Sequence, residues 1–138
     1  MGLDVYINFN GNCREAVDFY SKVFGVPKNQ IMTFGEMPPD PNFPLPESSK
    51  NLIAHTYLNI YDSMTMFSDT FPGYPLTVGN NMSLIITTNN IDEIKSLYNK
   101  LKEGGSVEME LQETFWSKCY GSVKDKFGII WQFSHEAQ

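Results

Sequence analysis

Val5, Ile7 and Phe9 alternate with Tyr6 and Asn8, a period of two that predicts a strand with unlike faces. Cys13, Val17, Tyr20 and Phe24 then recur at helical spacing, Ala16 and Val23 widen the stripe, and Gly25 supplies a left-handed stop. Asn12 and Glu15 stand where an N-cap box belongs, the Asn accepting from a first-turn amide and the Glu reaching back to the cap N–H. Ile31 to Glu36 reads as a second strand. Leu52 to Ile60 and Met64 to Ser68 read as a hairpin with Tyr61-Asp62-Ser63 at its turn.

The same order then returns. Met82 to Thr87 reads as a fifth strand, and Asn90 with Glu93 repeats the cap box 78 residues after the first. Ile91, Ile94, Leu97, Tyr98 and Leu101 stripe a second helix that ends at Gly104-Gly105. Val107, Met109 and Leu111 alternate with Glu108, Glu110 and Gln112, and the carboxylates read as a wet strand face rather than a catalytic acid pair. Ser117 to Val123 and Ile129 to Phe133 complete the count, joined by the polar turn Lys124 to Gly128. The prediction is an α+β fold of about eight strands and two main helices, arranged as two βαβββ modules. Residues 1–70 form the first, 81–138 the second, and 71–80, with Pro72, Gly73, Pro75 and Gly79, a linker inside one 138-residue domain. Met37 to Asn51 carries five prolines, so it is expected to be a long exposed connection without regular structure, a candidate lid or dimer arm.

Composition narrows the function. Sixteen acidic against ten basic residues give a net charge of −6, which argues against nucleic acid as partner. Cys13 and Cys119 show no paired spacing, so neither a disulfide framework nor a zinc ribbon is expected, and both read as cytosolic thiols. The chain begins without a basic and apolar leader and has no run near the ~20 apolar residues of a membrane span. A cytoplasmic protein away from membranes is expected, in which the Asn81-Met82-Ser83 sequon stays unused.

Two histidines are too few for a three-histidine metal site. His55, on the third strand, is a candidate hydrogen-bonding group or general base, against the plainer reading of a semi-buried, satisfied side chain. A nucleophilic Cys119 paired with either histidine is not favoured. Phe115, Trp116 and Tyr120 offer flat contact surface for a planar or apolar ligand, or simply core. Met64, Met66 and Met82 add deformable walls. Ser68 is a further ligand candidate and Asp69 a rim residue. Gly-rich cofactor turns, phosphate loops, nucleophile elbows and metalloprotease helices are absent.

Several motifs combine. Asn10-Gly11-Asn12-Cys13-Arg14-Glu15-Ala16 before Phe19-Tyr20, Phe34-Gly35-Glu36-Met37-Pro38, Gln112-Glu113-Thr114-Phe115-Trp116, and Asp125-Lys126-Phe127-Gly128 with Trp131 resemble the PhnB-like branch of the vicinal oxygen chelate superfamily. That superfamily includes glyoxalase I, bleomycin-resistance and fosfomycin-resistance proteins and extradiol dioxygenases. The resemblance covers nearly the whole chain. It implies mostly antiparallel sheets curled into cupped halves that enclose a small-molecule cleft, often in a homodimer. It also implies metal ligands of His, Glu or Gln type on the first, fourth, fifth and eighth strands. Here those positions fall on Val5, on Met64 to Ser68, on Met82 or its neighbours Asn81 and Ser83, and on Gln132. Only Gln132 is a permitted type, so the metal site is read as lost. The branch is often labelled demethylubiquinone methyltransferase-like, yet methyl transfer would need a cofactor site that the residues do not supply.

The expected function is therefore that of a cytoplasmic homodimer binding a small organic molecule without cofactor or metal. Its ligand-binding candidates are His55, Tyr57, Met66, Ser68, Trp116, Tyr120 and Gln132. The alternative is a divalent-metal enzyme of lyase, isomerase or dioxygenase type, with a rearranged site using His55 and Gln132. A third reading makes the proline-rich segment a docking module, against which its lack of clean P-x-x-P repeats counts.

Overall fold

The computed structural model describes residues 1–137, which divide into two compact units, Met1–Thr77 and Val78 onward. The first unit contains β1 (Val5–Phe9), α1 (Cys13–Phe24), β2 (Met32–Thr33), β3 (Ile53–Ile60) and β4 (Ser63–Asp69). Its sheet runs β1-β4-β3-β2, with β1 and β4 parallel and the other pairs antiparallel. The second unit contains β5 (Leu84–Thr88), α2 (Ile91–Leu101), β6 (Ser106–Gln112), β7 (Tyr120–Lys124) and β8 (Ile130–His135). Its order, β5-β8-β7-β6, repeats the first, again with one parallel pair, β5 with β8.

One helix packs against one face of each sheet. Ala16, Val17, Tyr20 and Val23 of α1 are buried, as are Phe9, Leu58 and Phe67 of the sheet, and the Tyr20 and Phe67 rings stack with centroids 5.8 Å apart. Ile94, Leu97, Tyr98 and Leu101 of α2 are buried with Ile86, Val123, Trp131 and Phe133, where the Tyr98 ring meets Phe133 edge-on at 6.0 Å. Each such large side chain contributes roughly 1.5–3 kcal/mol by leaving water.

The elements follow the periodicity, with instructive shifts. The predicted strand Ile31 to Glu36 shrinks to Met32–Thr33, because residues 34–36 wind into a single 3₁₀ turn. The Glu36 carboxylate stabilises that turn by accepting from the Thr33 N–H and hydroxyl, at 3.2 and 2.9 Å. The proline-rich segment is more structured than expected. Residues 47–49 form a second 3₁₀ turn, Gly35 N–H donates to Lys50 O at 2.9 Å, and Phe43 packs edge-on against Phe71. The hairpin turn contracts to Tyr61 and Asp62, both with positive φ, as the primed two-residue turns require. Strand β7 begins at Tyr120 rather than Ser117, while β8 extends to His135.

The two cap boxes come out differently. Gly25 closes α1 in the left-handed conformation, as predicted, but Asn12 makes no capping hydrogen bond. The orphan Cys13 N–H donates instead to Asp69 Oδ1 at 2.9 Å, from the far end of β4. Asn90 has the extended backbone of a true N-cap, and its side chain accepts from Glu93 N–H at 3.1 Å. A second buried aspartate holds the β7–β8 turn: Asp125 Oδ1 accepts from Phe127 and Ile129 N–H at 2.9 and 3.0 Å, and Oδ2 from the Trp131 indole at 2.9 Å.

The parallel ladders of the two units, β1–β4 and β5–β8, correspond rung by rung. Phe9 lies opposite Asp69 as Thr88 lies opposite His135. Thr70 N–H donates to Phe9 O just as Glu136 N–H donates to Thr88 O, at 2.7 and 2.9 Å. Asp69 and His135 thus hold equivalent places in the repeat.

Candidate functional site

Side chains alternate across a strand, so the face of each sheet turned away from its helix collects a fixed set of residues. In the first unit that open face receives Tyr6 and Asn8 from β1, His55 and Tyr57 from β3, and Met64, Met66 and Ser68 from β4. Met32 of β2 stands opposite His55, and Tyr6, Met66 and Tyr57 share one rung. The Tyr6 hydroxyl lies 3.4 Å from His55 Nδ1, with the two rings tilted at 5.9 Å. Ser68 Oγ donates to Asn8 Oδ1 at 3.0 Å. Four of the sequence candidates, His55, Tyr57, Met66 and Ser68, are therefore brought together.

The other three meet in the second unit. Tyr120 occupies the place of His55 in the repeat, and Gln132 that of Met66. The Tyr120 hydroxyl donates to Gln132 Oε1, and Gln132 Nε2 donates to Ser83 Oγ. Trp116 lies in the β6–β7 loop, edge-on to Tyr120 at 5.4 Å and to Phe115 at 4.7 Å. Both loop aromatics are exposed, Phe115 at 97% and Trp116 at 55%, so the reading of these two as core is replaced by one of contact surface.

Tyr6 and Asn8 were missed as site residues although the alternation that predicts β1 also puts them on the face opposite its apolar positions. Asp69 is not a rim residue. It is 3% exposed, and besides the Cys13 amide it accepts from Ile53 N–H at 3.0 Å, fastening helix and sheet together. Glu110 is not merely wet, since it accepts from the Tyr98 hydroxyl at 2.9 Å. Burial first, and that hydrogen bond second, push the Tyr98 hydroxyl up to about 12. Cys13 is fully buried, and burial, with the Asp69 charge added, pushes its thiol far above the usual range; it is no nucleophile.

The residues present do not fit the divalent metal that the fold implies. Val5 shares the helix-facing parity of Ile7 and Phe9, so the first strand turns Tyr6 and Asn8 to the open face. The Gln132 carbonyl is already held by Tyr120. Hydroxyl, amide and thioether groups with one imidazole are a poor donor set for a hard or borderline cation. Among the described residues, no three His, Cys, Asp or Glu side chains are grouped so as to hold one.

Two βαβββ units with identical strand order define the vicinal oxygen chelate fold. A fosfomycin resistance protein of that fold, FosX from Listeria monocytogenes, matches with a TM-score of 0.66 over 99% of this chain and 93% of its own, at 8% identity. Residues 3–134 match the family described as 3-demethylubiquinone-9 3-methyltransferase, and the chain belongs to that PhnB-like family. Protein YjdN of Escherichia coli (strain K12) is 32% identical over 97% of this chain and 95% of its own. Protein PA1353 from Pseudomonas aeruginosa is 33% identical over 100% and 99% of the two chains, with a TM-score of 0.87. A PhnB protein from Bacillus cereus is 25% identical over 99% and 100%, with a TM-score of 0.79.

Proposed function

We propose that this PhnB-like protein binds a small organic molecule on its open sheet faces, as a homodimer and without a divalent metal. The observation that carries the reading is the convergence of His55, Tyr57, Met66 and Ser68 with Tyr6 and Asn8 on one face of the first sheet. Aromatic and thioether walls with a few placed polar groups are the ordinary make-up of a small-molecule site. The Tyr120–Gln132–Ser83 chain beside Trp116 makes a second surface of the same kind. The reading stops at binding. Methyl transfer, which the family description names, would need a donor site, and the two strand-to-helix turns, residues 10–12 and 89–90, carry Gly11 as their single glycine.

Thermal-shift screening of a small-molecule library tests it. Hits should lose their stabilising effect in Tyr57→Ala and His55→Ala while both variants keep the melting temperature of the free protein within about 2 °C, as partly exposed positions allow. Hits unaffected by either substitution would remove the first open face from the reading. Elemental analysis after exposure to zinc, nickel, manganese or ferrous iron should find far less than one ion per chain. A stoichiometric ion released by substitution at His55 or Gln132 would restore the metal-enzyme alternative.

A further inference from the structure

The equivalence of Asp69 and His135 has a chemical consequence. In the first unit this rung is occupied by a buried carboxylate that accepts two backbone amides, one of them at the start of α1. In the second, Asn90 caps α2 locally, so the same place need not hold an acceptor. It carries an imidazole whose ring nitrogens make no hydrogen bond among the described residues. His135 instead lines a cavity of about 210 Å³ formed with the β6–β7 loop, whose wall includes Glu113, Phe115, Trp116, Ser117 and Lys118.

That wall is built rather than loose. Thr114 N–H donates to Ser117 O at 2.8 Å and Ser117 N–H to Thr114 Oγ1 at 3.1 Å. The buried Ser117 hydroxyl lies 2.9 Å from Cys119 O and 3.0 Å from His135 O, tying the loop to the end of β8. The loop thus holds an exposed indole in place before any ligand arrives, which lowers the ordering cost of binding. Among the described residues Lys118 makes no ion pair, and the Trp116 indole N–H makes no hydrogen bond. Among the described residues, the unspent polar side chains on this wall are therefore the donors Lys118 and Trp116, the acceptor Glu113, and His135, whose ring carries an N–H in either tautomer.

We propose that this cavity is a second small-molecule site, selective for planar aromatic carboxylates, and that His135 is a binding residue in it. The aromatic ring packs on Trp116, and the carboxylate takes the N–H groups of Lys118 and His135. Glu113 opposes the same charge and limits the affinity. The site shares Trp116 with the open-face reading but uses none of the first unit's residues, so the two stand or fall separately.

The test uses the full chain and two probes of matched shape, benzoate and benzamide, titrated into ¹⁵N-labelled protein. The protein has two tryptophans, and the Trp131 indole, buried and bonded to Asp125, is the internal control. Benzoate should move the Trp116 indole resonance and leave that of Trp131 in place, with benzamide much weaker. Lys118→Met should weaken benzoate about threefold and Glu113→Gln strengthen it by a similar factor, the size expected of exposed charges. His135→Asn should weaken it while preserving the dispersion of the spectrum. No movement of the Trp116 resonance up to about 10 mM, a range that reaches the weakest specific binding, would overturn the proposal. So would equal responses to both probes, or an affinity that neither charge substitution alters. Benzoate shifts confined to His55 and Tyr57 would overturn it while supporting the open-face site.

Discussion

The two units are near copies in topology, yet they start their helices by opposite means. In the first, the helix start is fastened from afar: Asp69, 56 residues along the chain from Cys13, supplies the acceptor that Asn12 does not. In the second, Asn90 does the work from the adjoining position. A distal fastener makes the helix depend on the finished sheet, whereas a local cap can form with the first turn. It also consumes the residue at the end of the strand, and in the second unit that residue is left over for a cavity wall.

The largest expected effect tests this contrast directly. Asp69→Ala leaves two backbone amides without their acceptor and should cost on the order of 3 kcal/mol, read as a drop in the denaturation midpoint. His135→Ala, at the equivalent rung, should cost less than about 0.5 kcal/mol, because no polar partner is stranded. Equal losses would mean that the two places are not functionally distinct. At the next scale, Asn90→Ala should cost about 1 kcal/mol through loss of the cap, and Asn12→Ala only a few tenths. Comparable values for the two asparagines would contradict the cap geometry.

A further effect concerns pH. The folded protein raises the Tyr98 hydroxyl from 10.0 to about 12, so between those values the unfolded chain has lost a proton that the folded one keeps. Stability contributed by this group is complete below pH 10 and falls as pH rises towards 12. In Tyr98→Phe that part of the alkaline decline should vanish, as denaturant midpoints measured across this range would show.

Periodicity made most of the fold legible, because helices and strands bury stripes whose spacing is written locally. The caps were only half legible. Asn12 with Glu15 and Asn90 with Glu93 are the same signature, and nothing within four residues reveals that Asp69 will displace the first asparagine. The bonds from Phe34 and Gly35 N–H to Leu52 and Lys50 O, and the anchoring of Phe43 on Phe71, likewise depend on partners distant in sequence. For the candidate site, alternation placed His55, Tyr57, Met66 and Ser68 on one face once the register was fixed, and it held Tyr6 and Asn8 as well. The cavity at His135 was not legible, since its wall is a loop whose path rests on the buried Ser117 hydroxyl and on the end of β8.

The placement of the two tryptophans equips the protein with its own optical instrumentation. Trp131, 4% exposed and bonded to a buried carboxylate, should emit in the blue, resist iodide and change only when the fold is lost. Trp116, more than half exposed, should emit further to the red and be quenched freely. One unlabelled sample therefore carries separate emission channels for unfolding and for events at the β6–β7 loop, so a compound that touches the loop can be told from one that merely stabilises the chain.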